Sequence, residues 1–450
     1  MMKSDIIIIG AGPGGYETAI YAARNGLSVT IFENRKPGGT CLNEGCIPTK
    51  CFCRNAEILD GIKDSAEYGV NDMAYTFDFG QVIERKNRIV AGLIEGVEFL
   101  LKNKLITFVK EAASLIDAHS VRSVSGEIYS CDHLIIATGS VSKNLPIPGN
   151  NLPGVLTSKE ILDIEKVPEN LCVIGAGVIG LEFASVFNSF GSKVTVLEYA
   201  KEILPNFDAD ISKRLKQALG KKGIEIVNSA AVEEIRENAD RLSVKYGYKG
   251  ENREVVADTV LMAVGRAANV ESLNLDVAGI VYSSKGIVTD DNMETNISRV
   301  YAIGDVNGKC MLAHAATFQG RKVIDHILGK ENTIRLDIIP SAVFTRPEAA
   351  MVGCTEDECK QQGRVYRSKK AMFRANGKAL SMGEPEGICK IIADEDGVII
   401  GCHMLGPHTA DIIQEISALI NRRTTVDELS SMIHAHPTLS EIVQECAREF

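Results

Sequence analysis

The sequence predicts an α/β protein with two related parallel-sheet domains, followed by a smaller α+β domain. Glycines and one acidic residue repeat along the chain at an offset of 165 positions, pairing Gly10 with Gly175, Gly12 with Gly177, Gly15 with Gly180, Gly26 with Gly191 and Glu33 with Glu198. From about Leu336 the pattern changes to short strands and a helical tail with no further copy. This change indicates a third domain of a different class.

Each copy has the pattern strand, tight turn, helix, strand. Apolar runs at 5–9 and 171–174 suit buried parallel strands, and helices are predicted over 14–25 and 178–190. In a Rossmann-like unit the first glycine permits the turn, the second lets the backbone approach a pyrophosphate, and the third lets helix and strand pack closely. Glu33 and Glu198 end the second strands and can accept hydrogen bonds from ribose hydroxyls. We therefore expect two dinucleotide-binding domains.

Three further apolar runs lead into a glycine, at 134–139, 259–265 and 300–304. Such strands are expected where a sheet ends beside a ligand. Pro146, Pro148 and Pro153 follow the first of these runs and mark a crossover into the second domain.

Composition excludes several classes of protein. With 45% hydrophobic and 24% charged residues, the 450-residue chain is of ordinary globular type. A formal charge of −10 offers phosphate backbones no broad attraction, which argues against a nucleic-acid partner. We expect no membrane span, because no apolar run approaches the ~18–20 residues that one needs. No secretion signal is apparent, so we expect a cytoplasmic protein.

Two of the twelve cysteines, Cys41 and Cys46, lie five residues apart just after the first repeat. If a helix begins near Thr40, the two thiols are close enough to form a disulfide. The helix N-terminus and Lys50 favour thiolate, so these thiols should be reactive.

Cys354 and Cys359 have the same spacing but enclose four acidic or polar residues, which disfavour thiolate, so we interpret them as structural. We interpret Cys51, Cys53 and Cys446 as packed or exposed bystanders with no part in electron relay. Because zinc-type Cys spacing is missing, no metal site is expected.

Motifs along essentially the whole chain resemble the flavoprotein disulfide reductases. They are GGTCLNEGCIPTK at 38–50, the two glycine repeats, ATG at 137–139 and AIGD at 302–305. Two further segments, MLAH at 311–314 and HAHPTLSE at 434–441, resemble the branch of that family that oxidises lipoyl dithiols with NAD.

The resemblance implies FAD in the first repeat and NAD in the second. It divides the chain into an FAD-binding domain in two parts, 1–144 and 267–334, an NAD-binding domain at 145–266 and a dimerisation domain at 335–450.

It also implies the residues that contact each cofactor. Glu33 would hold the adenosine ribose of FAD, and Asp305 the ribityl and phosphate region. The expected FAD residues are Gly10, Gly12, Gly14, Gly15, Glu33, Gly39, Thr40, Lys50, Ala113, Thr138, Gly139, Asp305, Met311, Leu312, Ala313 and His314. The expected NAD residues are Gly175, Gly177, Val178, Ile179, Gly180, Glu198, Val232, Ala263, Gly265 and Arg266. Val178 would cover the nicotinamide pocket.

The catalytic residues implied by the resemblance are Cys41, Cys46, Lys50, Glu182, His436 and Glu441. Lys50 would lie by flavin N5, paired with Glu182. His436, held by Glu441 and supplied by the partner subunit of a homodimer, would act as the base. A carboxylate at Glu198 repels a 2′-phosphate, which favours NAD over NADP.

The expected partner is a lipoyl-bearing carrier protein of a 2-oxo acid dehydrogenase or of glycine cleavage. Because the chain begins directly at the flavin domain, the lipoyl group is expected on another protein. Ala315 and Ala268 stand where the family commonly has Lys and Pro, which puts local packing in doubt.

Two alternatives remain open from the sequence. One is an NAD(P)H-dependent reductase of another disulfide, such as glutathione disulfide, or of mercuric ion. The other is a non-catalytic flavin-bearing scaffold, against which the set Cys41, Cys46 and His436 argues.

Overall fold

The computed structural model describes residues 2–450, which form 24 strands and twelve α-helices. The strands are β1 (Met2–Ile9), β2 (Val29–Phe32), β3 (Ile106–Val109), β4 (Ala113–Asp117), β5 (Ser120–Ser123), β6 (Ile128–Ile136), β7 (Ser140–Ser142), β8 (Val155–Thr157), β9 (Asn170–Ile174), β10 (Lys193–Glu198), β11 (Glu225–Asn228), β12 (Ala231–Asn238), β13 (Arg241–Tyr248), β14 (Glu251–Ala257), β15 (Thr259–Met262), β16 (Arg266–Ala268), β17 (Tyr282–Ser283), β18 (Gly286–Ile287), β19 (Val300–Ala302), β20 (Ser341–Val343), β21 (Glu348–Gly353), β22 (Tyr366–Met372), β23 (Ile388–Asp394) and β24 (Ile399–Gly406). The helices are α1 (Pro13–Arg24), α2 (Gly39–Glu44), α3 (Cys46–Lys63), α4 (Phe79–Leu100), α5 (Val178–Phe190), α6 (Ala209–Lys221), α7 (Ala313–Ile327), α8 (Glu356–Gln361), α9 (Gly377–Ser381), α10 (Thr409–Asn421), α11 (Val426–Ser431) and α12 (Glu441–Ala447).

The chain divides into two compact units. The first contains the residues up to Cys51 together with Gly80–Lys143 and Gly265–Leu336, and the second contains Phe52–Phe79, Asn144–Val264 and Asp337–Phe450. The domain boundaries expected from the sequence, at 1–144, 145–266, 267–334 and 335–450, stay a prediction.

The apolar run at the start of the chain forms the central strand of the first unit. The main sheet has the order β3-β2-β1-β6-β5-β4, and β19 also pairs with β6. Strands β1, β2, β3, β6 and β19 are parallel. Ile6 and Ile8 pack on one face of the sheet and Ile7 and Ile9 on the other, all of them buried. A continuous isoleucine run therefore fits a strand that is covered on both sides.

The second repeat builds an equivalent sheet in the second unit. Its order is β11-β10-β9-β15-β8, and every pair is parallel. Helix α5 begins and ends where the glycine pattern predicts, at Val178 and Phe190, and Gly191 caps it with φ of 108°. A separate antiparallel sheet, β12-β13-β14, follows.

The last part of the chain forms an antiparallel sheet in the order β20-β21-β24-β23-β22. Helices α10, α11 and α12 pack on it and share an apolar core with its strands. The α/β fold with two Rossmann-like units and an α+β segment is thus confirmed.

A buried lysine joins two parts of the second unit. Lys390 on β23 is 1% exposed. Its Nζ lies 2.8 Å from Asp208 Oδ1, 2.7 Å from Asp210 Oδ2 and 3.0 Å from Glu356 Oε2. Asp208 is the N-cap of α6, and its side chain also accepts from Asp210 N. The three carboxylates compensate a charge that would be very costly to bury alone.

These ion pairs predict an acid-dependent loss of stability. Burial alone would raise the pKa of Asp210, but hydrogen bonds from Lys370 and Lys390 outweigh it and lower the pKa from 3.8 to about 2. A lowered folded-state pKa stabilises the protein above the unfolded value and loses that contribution as pH falls from about 4 to about 2. Asp210→Asn should therefore be less stable than the unmodified protein at pH 5, and the difference should shrink towards pH 2.

Urea unfolding at equal protein concentration would measure this difference. We expect it to be on the order of 1 kcal/mol at pH 5, because more than a third of the Asp210 side chain is exposed and solvent screens the pair. Asp357→Asn is the matched control, since its ion pair with Lys360 is mostly exposed. A difference for Asp210→Asn that is independent of pH would contradict the prediction.

Among residues 2–450, no helix is both long and apolar enough to cross a membrane. The same residues contain no group of three or more His, Cys, Asp or Glu side chains placed to hold a metal ion.

Candidate functional site

Cys41 and Cys46 form a disulfide, with their Cα atoms 4.7 Å apart. Cys41 lies in the short helix α2, and Cys46 is the first residue of the 18-residue helix α3. Unpaired N–H groups and the helix dipole at that end stabilise negative charge on the Cys46 sulfur once the disulfide opens. Both cysteines are half-buried, so the bond is partly exposed. The predicted pairing is confirmed.

Lys50 and Glu182 lie in different structural units. Lys50 follows Cys46 by four residues, so both project from the same face of α3, one turn apart. Glu182 on α5 is 4% exposed, and its Oε1 accepts a hydrogen bond from Phe344 N at 2.9 Å. Glu182 is therefore a buried, hydrogen-bonded residue. Its pairing with Lys50 stays a prediction.

The second pair with the same spacing is not bonded. Cys354 and Cys359 are both free thiols. The pKa of Cys359 is raised chiefly by burial, with smaller contributions from Cys354 and Glu358. From the sequence we expected the acidic neighbours to disfavour the Cys359 thiolate. The structure corrects this, because burial of the thiol is the larger cause. Arg364 Nη1 lies 3.4 Å from Cys354 Sγ.

The first glycine repeat has the geometry of a dinucleotide loop. Gly10 has φ of 104°, and an added Cβ would lie 2.4 Å from Ala137 O, so only glycine fits the turn. Helix α1 follows with Gly12 as its N-cap and no side-chain cap. Glu33 Oε2 accepts from Ala11 N and Oε1 from Arg35 N, each at 3.0 Å. The carboxylate thus holds the glycine loop.

The second repeat has the same construction. Gly175 has φ of 107°, and an added Cβ would lie 2.4 Å from Ala263 O. Glu198 Oε2 accepts from Ala176 N and Oε1 from Ala200 N, each at 2.6 Å. Helix α5 also lacks a side-chain cap at Gly177. The two copies therefore match in backbone conformation and in how the acid is bound.

Three side chains of the first unit form a chain of contacts. Arg266 Nε donates to Ser140 Oγ at 2.7 Å, and Ser140 Oγ donates to Asp305 Oδ2 at 2.5 Å. Arg266 was expected beside NAD, and its guanidinium also lies 3.5 Å from Thr40 Oγ1, one of the residues expected beside FAD. Burial lowers the pKa of Arg266, partly offset by Asp305. This arrangement fixes the orientation of the Asp305 carboxylate.

Sequence reasoning missed Ser140 and Gln319. Gln319 is 2% exposed, and its Oε1 accepts from Gly304 N at 2.7 Å and from Asn307 Nδ2 at 2.9 Å. It therefore fixes the backbone next to Asp305. The position of Ser140 directly after the ATG motif was the only signal for it in the sequence.

The other expected cofactor residues lie in both units. In the first unit Ala113 starts β4, the Thr138 hydroxyl donates to Asn269 O at 2.7 Å, and the expected segment 311–314 enters the first turn of α7. In the second unit Val178 is the first residue of α5 and is 37% exposed, and Val232 lies on β12. Their contacts with cofactors stay predictions. Ala315, where the family commonly has Lys, is buried in α7, so the smaller residue fits its packing.

The structure separates the two histidines of the C-terminal motif. His434 is 9% exposed at its side chain, and its Nε2 lies 2.8 Å from Glu415 Oε1. His436 is 78% exposed, and its Nδ1 lies 2.9 Å from Glu441 Oε1. Hydrogen bonds from Thr438 N and from His436 lower the pKa of Glu441, so it stays ionised. His436 therefore has a free outward edge with a carboxylate behind it.

The donor groups of both repeats fit dinucleotides. The uncapped starts of α1 and α5 offer backbone N–H groups to a pyrophosphate. An added Cβ at Gly177 would meet nothing within 4 Å, which leaves space over the helix start. Each oxygen of Glu33 and Glu198 accepts one backbone hydrogen bond, so lone pairs remain for ribose hydroxyls. The residues present therefore fit FAD in the first unit and NAD in the second.

Comparisons with known proteins agree with this geometry. Residues 4–320 match the family model described as pyridine nucleotide-disulphide oxidoreductase, and residues 339–447 match its dimerisation domain. The chain is 38% identical to a dihydrolipoyl dehydrogenase of Chlamydia muridarum over 98% of this chain and 96% of that one. It is 39% identical to a dihydrolipoyl dehydrogenase of Bacillus subtilis over 99% of this chain and 96% of that one.

A solved structure of the HOCl-induced flavoprotein disulfide reductase RclA from Escherichia coli is also similar. Its TM-score is 0.89 with 29% sequence identity, over 99% of each chain. The match of both domain models and of full-length relatives shows the family. The chain belongs to the pyridine nucleotide-disulphide oxidoreductases.

Proposed function

We propose that this chain has dihydrolipoamide dehydrogenase activity, reoxidising protein-bound dihydrolipoyl groups and reducing NAD to NADH. The observation that supports it best is the Cys41–Cys46 disulfide at the start of α3. The full-length dihydrolipoyl dehydrogenase relatives favour the lipoyl dithiol over other thiol substrates. A homodimer, a lipoyl carrier protein as substrate and a cytoplasmic location belong to the same proposal.

The chemistry begins at the substrate thiols. His436 takes a proton from one thiol of the dihydrolipoyl group, and the resulting thiolate attacks the Cys41 sulfur. The Cys41–Cys46 bond breaks, a mixed disulfide forms at Cys41, and Cys46 leaves as a thiolate. The second substrate thiol loses its proton to solvent and attacks the lipoyl sulfur of the mixed disulfide. The bond from that sulfur to Cys41 breaks, and the expelled Cys41 sulfur takes the proton held by His436. The products are oxidised lipoyl and a reduced Cys41–Cys46 pair, which holds the two electrons.

Each protein group has a defined task in this exchange. Glu441 holds the imidazole through Nδ1 and compensates the positive charge that His436 acquires. The start of α3 stabilises the Cys46 thiolate and makes Cys46 the better leaving group. Bound FAD and NAD would supply the two-electron acceptors that side chains lack.

The proposal is tested with the purified FAD-containing protein. Dihydrolipoamide and NAD should give NADH, and NADH with lipoamide should run the reverse reaction. Glutathione disulfide and mercuric ion, assayed with NADH and NADPH, are the comparison substrates. If one of them were turned over more efficiently than lipoamide, the alternative reductase function would be correct.

A preference for NAD over NADP follows from the Glu198 carboxylate. It would accept from the 2′-hydroxyl of NAD and repel the 2′-phosphate of NADP. Glu198→Arg should lower kcat/KM for NAD by roughly 10- to 100-fold, the range of a hydrogen bond to a charged group, and weaken the preference. Steady-state kinetics with both cofactors measure it.

Glu202→Arg is the matched control, because it makes the same charge change at an exposed position four residues away. It should leave the preference for NAD nearly unchanged. Comparable efficiency of the unmodified protein with NAD and NADP would refute the role given to Glu198.

A further inference from the structure

Tyr199 follows Glu198 and is 81% exposed. Its side chain makes no hydrogen bond, ion pair or ring contact with another residue in the range 2–450. A single exposed aromatic is common on protein surfaces and needs no explanation by itself. Tyr199 differs from such residues because it directly follows Glu198, the carboxylate expected to bind the ribose of NAD.

The backbone on both sides of Tyr199 is fixed. Glu198 O accepts from Ala230 N at 2.8 Å, and Ala200 O accepts from Ser229 N at 3.0 Å. Ala200 N donates to the Glu198 carboxylate at 2.6 Å. These hydrogen bonds therefore keep the Tyr199 side chain next to Glu198. A tyrosine held in this way has only two side-chain torsions to order when a ligand binds.

The first repeat shows that this turn does not itself require an aromatic residue. Glu33 accepts from Arg35 N just as Glu198 accepts from Ala200 N, and the residue between is Asn34, which is exposed. The two repeats share the glutamate and its hydrogen bond to the backbone two residues later, and they differ in the side chain between these two residues. The ring of Tyr199 is therefore available for a purpose specific to the second site.

We infer that Tyr199 stacks on the adenine of NAD and determines much of the affinity for the adenosine half of the cofactor. This rests on the proposed function, because it takes NAD as the ligand of the second repeat. Adenine is bonded to the same ribose whose hydroxyls face Glu198, so the base must lie within about one residue of that carboxylate. Val232, half-buried on β12, follows the turn that Ser229 and Ala230 begin and offers an apolar surface nearby.

Binding of ADP-ribose, which lacks nicotinamide, tests the inference without turnover. Calorimetry on the FAD-containing protein should show affinity lowered roughly 5- to 20-fold in Tyr199→Ala, the lower part of what losing a base-stacking aromatic costs. Tyr199→Phe should keep the affinity, and Tyr199→Asn, which copies the first repeat, should behave like Tyr199→Ala. Tyr282→Ala, at an exposed tyrosine on β17, is the matched control and should change nothing.

A second measurement separates adenine contact from a general structural role. With an artificial electron acceptor, Tyr199→Ala should raise KM for NADH by the same factor and leave kcat near its unmodified value. With reduced nicotinamide mononucleotide, which has no adenosine, its kcat/KM should match that of the unmodified protein.

Unchanged ADP-ribose affinity in Tyr199→Ala, or an equal loss with the mononucleotide, would overturn the inference. So would failure of the unmodified protein to bind ADP-ribose. Tight ADP-ribose binding that depends on Tyr199, without oxidation of dihydrolipoamide, would instead support the inference and refute the proposed function.

Discussion

Cys46→Ser is expected to abolish the oxidation of dihydrolipoamide by NAD, with a loss of at least about 1,000-fold in kcat. Serine cannot form the bond to Cys41 that receives the two electrons of the substrate. FAD should stay bound, because the uncapped helix start and Glu33 that would hold it are unchanged. The measurement pairs the lipoamide assay with the visible spectrum.

The spectrum gives a readout that does not depend on turnover. Two-electron reduction of the unmodified protein should produce the long-wavelength absorbance of a thiolate beside oxidised flavin, and Cys46→Ser should lack it. A Cys46→Ser protein that still oxidised dihydrolipoamide would end the assignment of this pair.

Cys354→Ser and Cys359→Ser are the matched controls, since this pair has the same spacing. Both should keep turnover within a few fold and keep the reducible disulfide. Cys359 is buried, so its replacement leaves a packing defect of a few kcal/mol at most. Loss of the two-electron disulfide in either variant would show that the wrong pair had been chosen.

The fold was largely predictable because its signal is local. Glycines that must adopt positive φ, such as Gly10 and Gly175, are constrained by their own backbone, and the apolar runs before them can only be buried strands. Glu33 and Glu198, the acidic residues at the ends of the second strands, were also predictable, because they belong to the same dinucleotide-binding pattern. Repetition at one offset then made chance agreement implausible.

Contacts between distant segments could not be predicted in this way. Lys390 has the appearance of an ordinary charged strand residue, and only the fold brings it to Asp208, 182 positions away. The contact between Arg266 and Ser140 likewise depends on pairing between β16 and β7. Such partners are set by tertiary packing, which a single sequence does not display.

The two histidines of the C-terminal motif were distinguished only by the resemblance, and the structure supplies the physical reason. His434 is buried against Glu415, whereas the outward edge of His436 remains in solvent. The resemblance also implied Glu441 as the partner of His436, and the structure places these two side chains 2.9 Å apart.

His436→Gln is expected to lower kcat for dithiol oxidation by about 10² to 10⁴, the usual worth of general acid–base help. Diaphorase activity, in which NADH reduces the protein and an artificial acceptor removes the electrons, needs no thiol deprotonation and should fall much less. His434→Gln makes the same change two residues earlier and should cost only a few fold. Equal losses in both assays would indicate a folding or cofactor defect and not a missing base.

Mixing two inactive variants tests which subunit supplies the base. Near His436 the chain exposes Ile433 almost completely, at 98%, as expected for a surface that a second subunit covers. If His436 faces the partner's disulfide, dimers of one Cys41→Ser chain and one His436→Gln chain contain one complete site. Random exchange makes half of all dimers mixed, so activity should return to roughly a quarter of the unmodified level. If subunit exchange is verified and no activity returns, His436 acts on the disulfide of its own chain and the shared site is wrong.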